Sequence, residues 1–286
     1  MKKLPRLFNK FVIWLQQSDL PGKYRFYLLT RNLFKRYAIQ YSFDHGTFVI
    51  PYAQWCFWDT FGPQNYYIDE NLPFCSLINR ELDSFDFIDL GADVGVMSLI
   101  VTIHCSRLNR ITAFEPNPHA YQYLNSNANS SRHLFTAVNE AVSNFVGSAG
   151  FEFDNSTPSD HEGRINNTSD GKTLVNTLDS FFNSKRVSKH LAIKIDVEGQ
   201  EVEVLQGANK IIASCEKCVL LIEIHPDTLK ETGITPESIF EEAEKIRKMY
   251  WVLPESGIVV NRNMAFFKQF EERQYDVIGV STTPSP

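Results

Sequence analysis

The run Phe87-Ile-Asp-Leu-Gly-Ala-Asp-Val-Gly95 puts Asp89, Gly91, Asp93 and Gly95 at alternate positions where an apolar strand gives way to a helix. Gly91 can turn sharply and lets a ligand approach the backbone. Gly95 permits close packing at a helix N-terminus, whose free N–H groups favour an anion such as a carboxylate. Twenty residues beyond Gly95, Glu115 ends the run Ala113-Phe-Glu115 and is followed by Pro116 and Asn117. An acid there can grip two ribose hydroxyls at once. Dinucleotide and S-adenosylmethionine sites share this geometry, but the full G-x-G-x-x-G array that lies against a pyrophosphate is missing. Asp89 adds an acid that could face a ligand ammonium group, which favours S-adenosylmethionine over NAD. A glycine turn made only for packing is the plain alternative, and Glu115 weighs against it.

A second polar group falls at Lys194-Ile-Asp196-Val-Glu198-Gly199-Gln-Glu201, where a strand should pass into a helix at the ligand-binding edge of the sheet. Lys194, Asp196 and Glu198 share parity, so charge repeats toward one side as the strand reaches the cleft. A buried Lys194 needs an anionic partner, which Asp196 or Glu223 could provide. An internal ion pair between strands weighs nearly as much for it as a catalytic role. Glu201 reads as a first-turn residue complementing the helix dipole. The next strand ends Leu221-Ile-Glu223-Ile-His225-Pro226 at the same edge. Imidazole titrates near neutral pH, so His225 is the natural candidate for a base at this edge, weighed evenly against a capping role. The expected catalytic residues are His225, Asp196, Glu198 and Lys194, with Asp196 and Glu198 orienting the acceptor or cofactor. No metal is expected, although Asp196, Glu198 and Glu223 offer the hard oxygen ligands of a divalent ion, which leaves a metal-assisted variant open.

The elements that must hold these residues follow from short apolar, β-rich runs alternating with helical patterns, as in a parallel sheet with crossover helices. Strands are expected at 87–90, 111–114, 134–138, 191–195 and 219–224, with two more near 251–253 and 276–280 closing the sheet. A helix beginning near Pro236 has Thr235 as N-cap and proline at its first position. Residues 154–172, rich in Asn, Ser, Asp, Gly and Thr, read as a long surface loop. Asn166-Asn167-Thr168 within it matches a sequon, which loop composition explains better than glycosylation.

Residues 1–80 read as an appendage of basic, aromatic helices, then strands around Asp44-His45-Gly46, an irregular aromatic stretch over 55–67 and a helix over 70–80. Residues 81–286 form the main domain. At 286 residues and 43% hydrophobic content the chain can bury a sizeable core. The net charge of −6 argues against a nucleic-acid partner, yet it is unevenly spread. The first forty residues carry nine basic residues and one acid, a formal +8 that leaves −14 on the rest. That start could lie on an anionic membrane surface, cover the acceptor or build a dimer contact; for Phe11, Trp14 and Leu15 ordinary helix packing is preferred. No run reaches the roughly 20 apolar residues of a membrane span, and no signal peptide is recognisable. The expectation is a cytoplasmic protein, or one at the inner face of a membrane, and its oligomeric state stays open. Five scattered cysteines suggest no disulfide framework, and Cys215 with Cys218 lacks the second pair of a structural zinc site.

Over roughly residues 87–280, about two-thirds of its length, the chain resembles the FkbM-type methyltransferase family. The resemblance rests on an ordered set: Ile88-Asp-Leu-Gly-Ala-Asp-Val-Gly95, Ala113-Phe-Glu-Pro-Asn117, Ala141-Val-Ser143 before Gly147, Val175-Asn-Thr-Leu-Asp179, Ile193-Lys-Ile-Asp-Val-Glu-Gly-Gln-Glu201 and Leu221-Ile-Glu-Ile224. It implies an α/β fold of the Rossmann-like class I methyltransferase type with helices on both faces, S-adenosylmethionine as donor, and O-methylation of a sugar, glycan or natural-product-like hydroxyl. The cofactor residues so expected are Asp89, Gly91, Asp93, Gly95, Glu115, Pro116, Asn117, Glu140, Ala141 and Asp196. One departure is that the family turn commonly carries asparagine where this chain has Asp93, which adds negative charge near the methionine carboxylate. The alternatives are an NAD-dependent oxidoreductase and a non-catalytic binding protein of the same fold.

Overall fold

The computed structural model describes residues 1–153, 163–166 and 171–282. The N-terminal part runs β1 (Lys2–Lys3), α1 (Arg6–Gln16), α2 (Lys23–Phe34), β2 (Tyr37–Phe43) and β3 (Gly46–Pro51), then α3 (Cys56–Asp59), a 3-10 turn at Pro63–Asn65, and α4 (Ile68–Glu81). The hairpin of β2 and β3 turns at Asp44 and His45, as expected, and β1 joins it in parallel to make a three-stranded sheet. The irregular aromatic stretch contains two short helical pieces.

The remainder supplies β4 (Phe85–Leu90), α5 (Val96–His104), β5 (Leu108–Phe114), α6 (Pro118–Ser130), β6 (Leu134–Val138), β7 (Ala141–Val142), β8 (Gly147–Phe153), β9 (Gly163–Asn166) and β10 (Thr173–Asn176). It continues through α7 (Leu178–Phe182), β11 (His190–Ile195), α8 (Glu201–Gly207), α9 (Asn209–Ser214), β12 (Lys217–Ile224), α10 (Pro226–Thr232), α11 (Pro236–Ile246), β13 (Met249–Val252), α12 (Phe266–Gln269) and β14 (Tyr275–Ser281). A seven-stranded sheet has the order β13-β14-β12-β11-β4-β5-β6. Every pairing from β12 to β6 is parallel, whereas β14 runs antiparallel between β12 and β13. The chain starts the sheet at β4, winds outward to β6, and returns to lay β11 on the other side of β4. That reversal opens a crevice beyond the carboxyl ends of β4 and β11, where open α/β sheets bind ligands. The architecture is the Rossmann-like class I methyltransferase sheet.

All seven expected strands of this sheet are present, most of them a few residues longer than the hydrophobic runs alone suggest. Thr235 caps α11 through a reciprocal bond with Ser238, which satisfies N–H groups that would otherwise be unpaired. The expectation of an unbroken loop over 154–172 needs correction. Residues 163–166 form β9, which pairs antiparallel with β8 in a four-stranded sheet ordered β7-β10-β8-β9. The rest of that stretch, apart from residues 171 and 172, and most of the sequon lie outside the described residues. The core has two large buried clusters, one on each face of the main sheet. The first joins Leu15, Tyr27, Ile50 and Trp58 of the N-terminal part to Phe87, Val94 and Ile100. No helix among the described residues is long and apolar enough to cross a membrane.

Candidate active site

Gly91 and Gly95 both adopt the left-handed conformation, with φ of +70° and +90°. At Gly91 a β-carbon would lie 1.7 Å from the carbonyl oxygen of Asp196, so the end of β4 and the end of β11 meet at a point that only glycine allows. Asp93, between them, is itself left-handed at φ 47°, a conformation asparagine and aspartate tolerate better than most residues. The Nε2 of Gln54 donates to its carboxylate at 2.9 Å, so the charge that the sequence adds at this turn is met by a donor from the N-terminal part.

Glu115 sits where β5 ends. Its carboxylate accepts the backbone N–H of Asp93 at 2.8 Å and that of Asn117 at 2.7 Å, which fixes it between the turn and the start of α6. Asn117 caps α6 by accepting the N–H of His119, and Asn139 ties the Glu115 and Pro116 carbonyls down. Glu140 accepts from the Asn176 side chain at 3.1 Å. Gly91, Asp93, Glu115, Pro116, Glu140 and Ala141 all line one cavity of about 620 Å³, within the range that holds a small-molecule ligand.

Three of the expected cofactor residues stand behind that wall. Gly95 and Asn117 shape it without lining it. Asp89 is fully buried, accepts from Ser98 at 2.6 Å, and its second oxygen has no hydrogen-bond partner among the described residues. Burial pushes its carboxyl up, against the pull of the neighbouring Lys194. Asp89 pairs in register with Lys194 inside the sheet.

The other end of the cavity gathers Lys194, Asp196, Glu198, Glu223 and His225. Lys194 donates to Asp196 at 2.6 Å and to the Gly91 carbonyl at 3.3 Å, bridging the acceptor edge to the glycine turn. Burial works against its charge, but Asp196 and Asp89 outweigh that and raise its pKa, so the ammonium stays charged. Glu223 is pushed well up, first by burial and then by the charge of Asp196, with which it shares a hydrogen bond. Opposite it on β14, Asp276 is raised by burial to about 7 despite Lys194. Glu198 stands at φ 54° and accepts from the Thr228 hydroxyl at 3.3 Å. His225 is the N-cap of α10, its Nδ1 accepting the Thr228 N–H at 3.4 Å. Glu201, at the start of α8, accepts the Gly199 N–H and is otherwise so buried that its pKa rises to about 7, which weakens it as a complement to the helix dipole.

One carboxylate oxygen from each of Asp196, Glu198 and Glu223 could converge on an ion, these atoms lying within 4.8 Å of one another. The Lys194 ammonium already supplies a positive charge at Asp196. Cys215 and Cys218 are buried, as are the other cysteines.

Sequence reasoning missed the wall made by residues 54–71, including Gln54, Trp55, Tyr66 and Glu70, and the one made by Arg273, Gln274 and Asp276. The first carries no periodic signal. The second did leave one, since Asp276 is a lone acid in an apolar strand whose edge must reach the same crevice.

Residues 89–252 match the model of the methyltransferase FkbM domain. The hexuronic acid methyltransferase AglP of Haloferax volcanii is 27% identical over 166 residues, which cover 57% of this chain and 63% of that relative, so the chain spans less than two-thirds of the relative's length. Among solved structures, a methyltransferase FkbM from Methylobacillus flagellatus superposes with a TM-score of 0.45 at 17% identity, covering 96% of this chain and 59% of that one. The plantazolicin methyltransferase BpumL in complex with SAH gives 0.40 at 8% identity, covering 97% and 98%. With more than half of its residues matched by the family model, the chain belongs to the FkbM methyltransferase domain family.

Proposed function

We propose that the chain is an S-adenosylmethionine-dependent O-methyltransferase acting on a hydroxyl of a sugar, glycan or natural-product-like acceptor. The observation that carries this reading is a single cavity with Glu115 and the glycine turn at one end and Asp196, Glu198, Glu223 and His225 at the other. The donor set fits the cofactor. Glu115 is held rigidly by two backbone N–H groups and lines the cavity, where vicinal ribose hydroxyls can bond to it. When bound, S-adenosylmethionine supplies an electrophilic methyl group on a positively charged sulfur, which suits a cavity lined by so many acids.

The chain's own residues then orient the acceptor and receive its proton. Asp196 is held by the Lys194 ammonium and lies beside Glu223, whose carboxyl is pushed well up by burial and by the charge of Asp196. Such a pair can accept the hydroxyl's hydrogen bond and take the proton as the new C–O bond forms. His225 faces a constraint the carboxylates do not. While its Nδ1 accepts the Thr228 N–H, the neutral ring carries its hydrogen on Nε2 and donates there. We assign His225 to orienting the acceptor and the Asp196–Glu223 pair to the proton. The 27% identical relative named as a hexuronic acid methyltransferase supports a sugar acceptor as a class. On this reading the partners are the cofactor, the acceptor and, through the basic N-terminal segment, a membrane surface.

Calorimetry with S-adenosylhomocysteine tests the cofactor assignment. The wild-type chain should bind it and Glu115→Gln should bind roughly ten-fold more weakly or worse, the loss of a charge-assisted hydrogen bond. Binding of NAD in its place, or unchanged affinity in a folded Glu115→Gln variant, would overturn the reading.

A further inference from the structure

We infer that the hairpin of α1 and α2 docks the protein on an anionic lipid bilayer, with its outward leucines and aromatics entering the headgroup region. The two helices hold each other through ring contacts, Phe8 on Phe34 at 4.9 Å and Phe11 on Phe26 at 5.8 Å, and α1 sends Val12 and Leu15 inward to the core. The packing expected for Leu15 is therefore present, yet it leaves much apolar surface outside. Leu7, Phe11 and Trp14 follow at i, i+4 and i+7 along one side of α1, and Leu7 is 83% exposed. On α2, Leu29 and Leu33 form an i, i+4 pair exposed by 84% and 72%, with Leu28 beside them. Tyr27 is the one fully buried residue of α2. Side chains this apolar and this exposed, repeated at helical spacing on two packed helices, form a face rather than scattered surface leucines.

Charge identifies what covers it. Arg6 and Lys10 lie on α1, Arg25 and Arg31 on α2, and Lys35 and Arg36 close its end, all of them exposed. The first forty residues total +8 while the rest of the chain totals −14. An anionic surface attracts this hairpin and repels the remainder, which fixes the orientation of docking as well as its site. A second copy of the chain fits less well, because bringing together two forty-residue N-terminal segments of +8 each opposes the apolar gain. Leucines and aromatics beside lysine and arginine are the composition of helices that lie in a bilayer interface. The inference does not depend on the transfer chemistry.

Co-sedimentation of the full chain with vesicles tests it. Vesicles of phosphatidylcholine with about one-third phosphatidylglycerol should pellet the protein, and vesicles of phosphatidylcholine alone should bind it at least roughly ten-fold more weakly. Each basic residue near such a surface is worth about a five-fold gain in partitioning, so K35E/R36E should lose roughly 25-fold or more. L29S/L33S should lose binding to the same vesicles while keeping its thermal melt, since both side chains are exposed. Brominated acyl chains should quench wild-type tryptophan emission, and W14F should remove that quenching. The inference is overturned if the protein ignores anionic vesicles, binds neutral ones equally well, or binds undiminished in both double variants. It is likewise overturned if L29S/L33S abolishes a dimer seen by sedimentation velocity without changing vesicle binding.

Discussion

At the scale of single residues, the same histidine can be a cap or a base, and the two roles make different demands on its replacement. His225 holds the first turn of α10 through Nδ1, a function asparagine also performs well. His225→Asn should therefore keep the melting temperature and lose turnover only in part, since it restores the cap but not the Nε2 donor, whereas His225→Ala should lose about 1 kcal/mol of stability from the missing cap. Glu223→Gln should reduce kcat by roughly 100-fold, within the usual range for acid–base catalysis, because the amide cannot exchange a proton with Asp196, while leaving cofactor affinity intact. If His225→Asn folds normally but loses turnover as severely as Glu223→Gln, the imidazole is the proton acceptor after all. Strand parity made Lys194, Asp196 and Glu198 legible, and the polar end of the fifth parallel strand did the same for Glu223 and His225. Asp89 reads from the sequence as an acid that could face a ligand ammonium group, and the structure buries it behind the cavity wall. Its neighbour in register is Lys194, whose charge pulls against the burial that raises the Asp89 carboxyl. Gln54, which meets the charge of Asp93, was beyond sequence reasoning because no spacing links residues 39 positions apart on different elements.

At the scale of elements, the site exists because the ends of β4 and β11 touch. The Asp196 N–H donates to the Leu90 carbonyl at 3.2 Å, and the Lys194 ammonium reaches the Gly91 carbonyl. Gly91→Ala would drive a methyl group into the Asp196 carbonyl at a φ that alanine resists. Left-handed strain and overpacking together should cost about 3 kcal/mol, read as a fall in the urea midpoint, with S-adenosylhomocysteine affinity falling as well. A variant with wild-type stability and affinity would mean that the two strand ends are not coupled as described. The strands of the main sheet were legible because each is a compact apolar run between helical patterns. The small sheet of β7 to β10 was not. Gly147-Ser-Ala-Gly opens β8 with residues too small and too polar to show alternation, and β9 is four residues long within a tract whose composition is that of a loop. Pairing with a neighbour, not intrinsic preference, makes these segments strands.

At the scale of the whole molecule, the residues before β4 are part of the site's foundation. They share one buried cluster with the main sheet, and Gln54 reaches Asp93 across the cavity wall. Asn127 on α6 ties the parts together. Its side chain accepts the Val49 N–H at 2.7 Å and donates to the carbonyls of Val49 at 3.0 Å and Val94 at 2.8 Å, all buried. One amide thus locks a strand of the N-terminal hairpin to the residue preceding Gly95. Asn127→Ala leaves those backbone groups buried without partners, so the loss should be about 2 kcal/mol or more. Because Val94 belongs to the glycine turn, cofactor affinity should fall in the same variant. A chain beginning at residue 83 should go further and fail to fold as a soluble monomer, since it uncovers the apolar surface that Ile50 and Trp58 occupy. Urea denaturation and calorimetry on Asn127→Ala, with light scattering on the shortened chain, measure both effects. Should the shortened chain unfold cooperatively and bind S-adenosylhomocysteine as tightly as the full one, the N-terminal part would be an independent appendage, as the sequence suggested. A shared core and a shared hydrogen-bond lock predict instead that neither part holds its shape without the other.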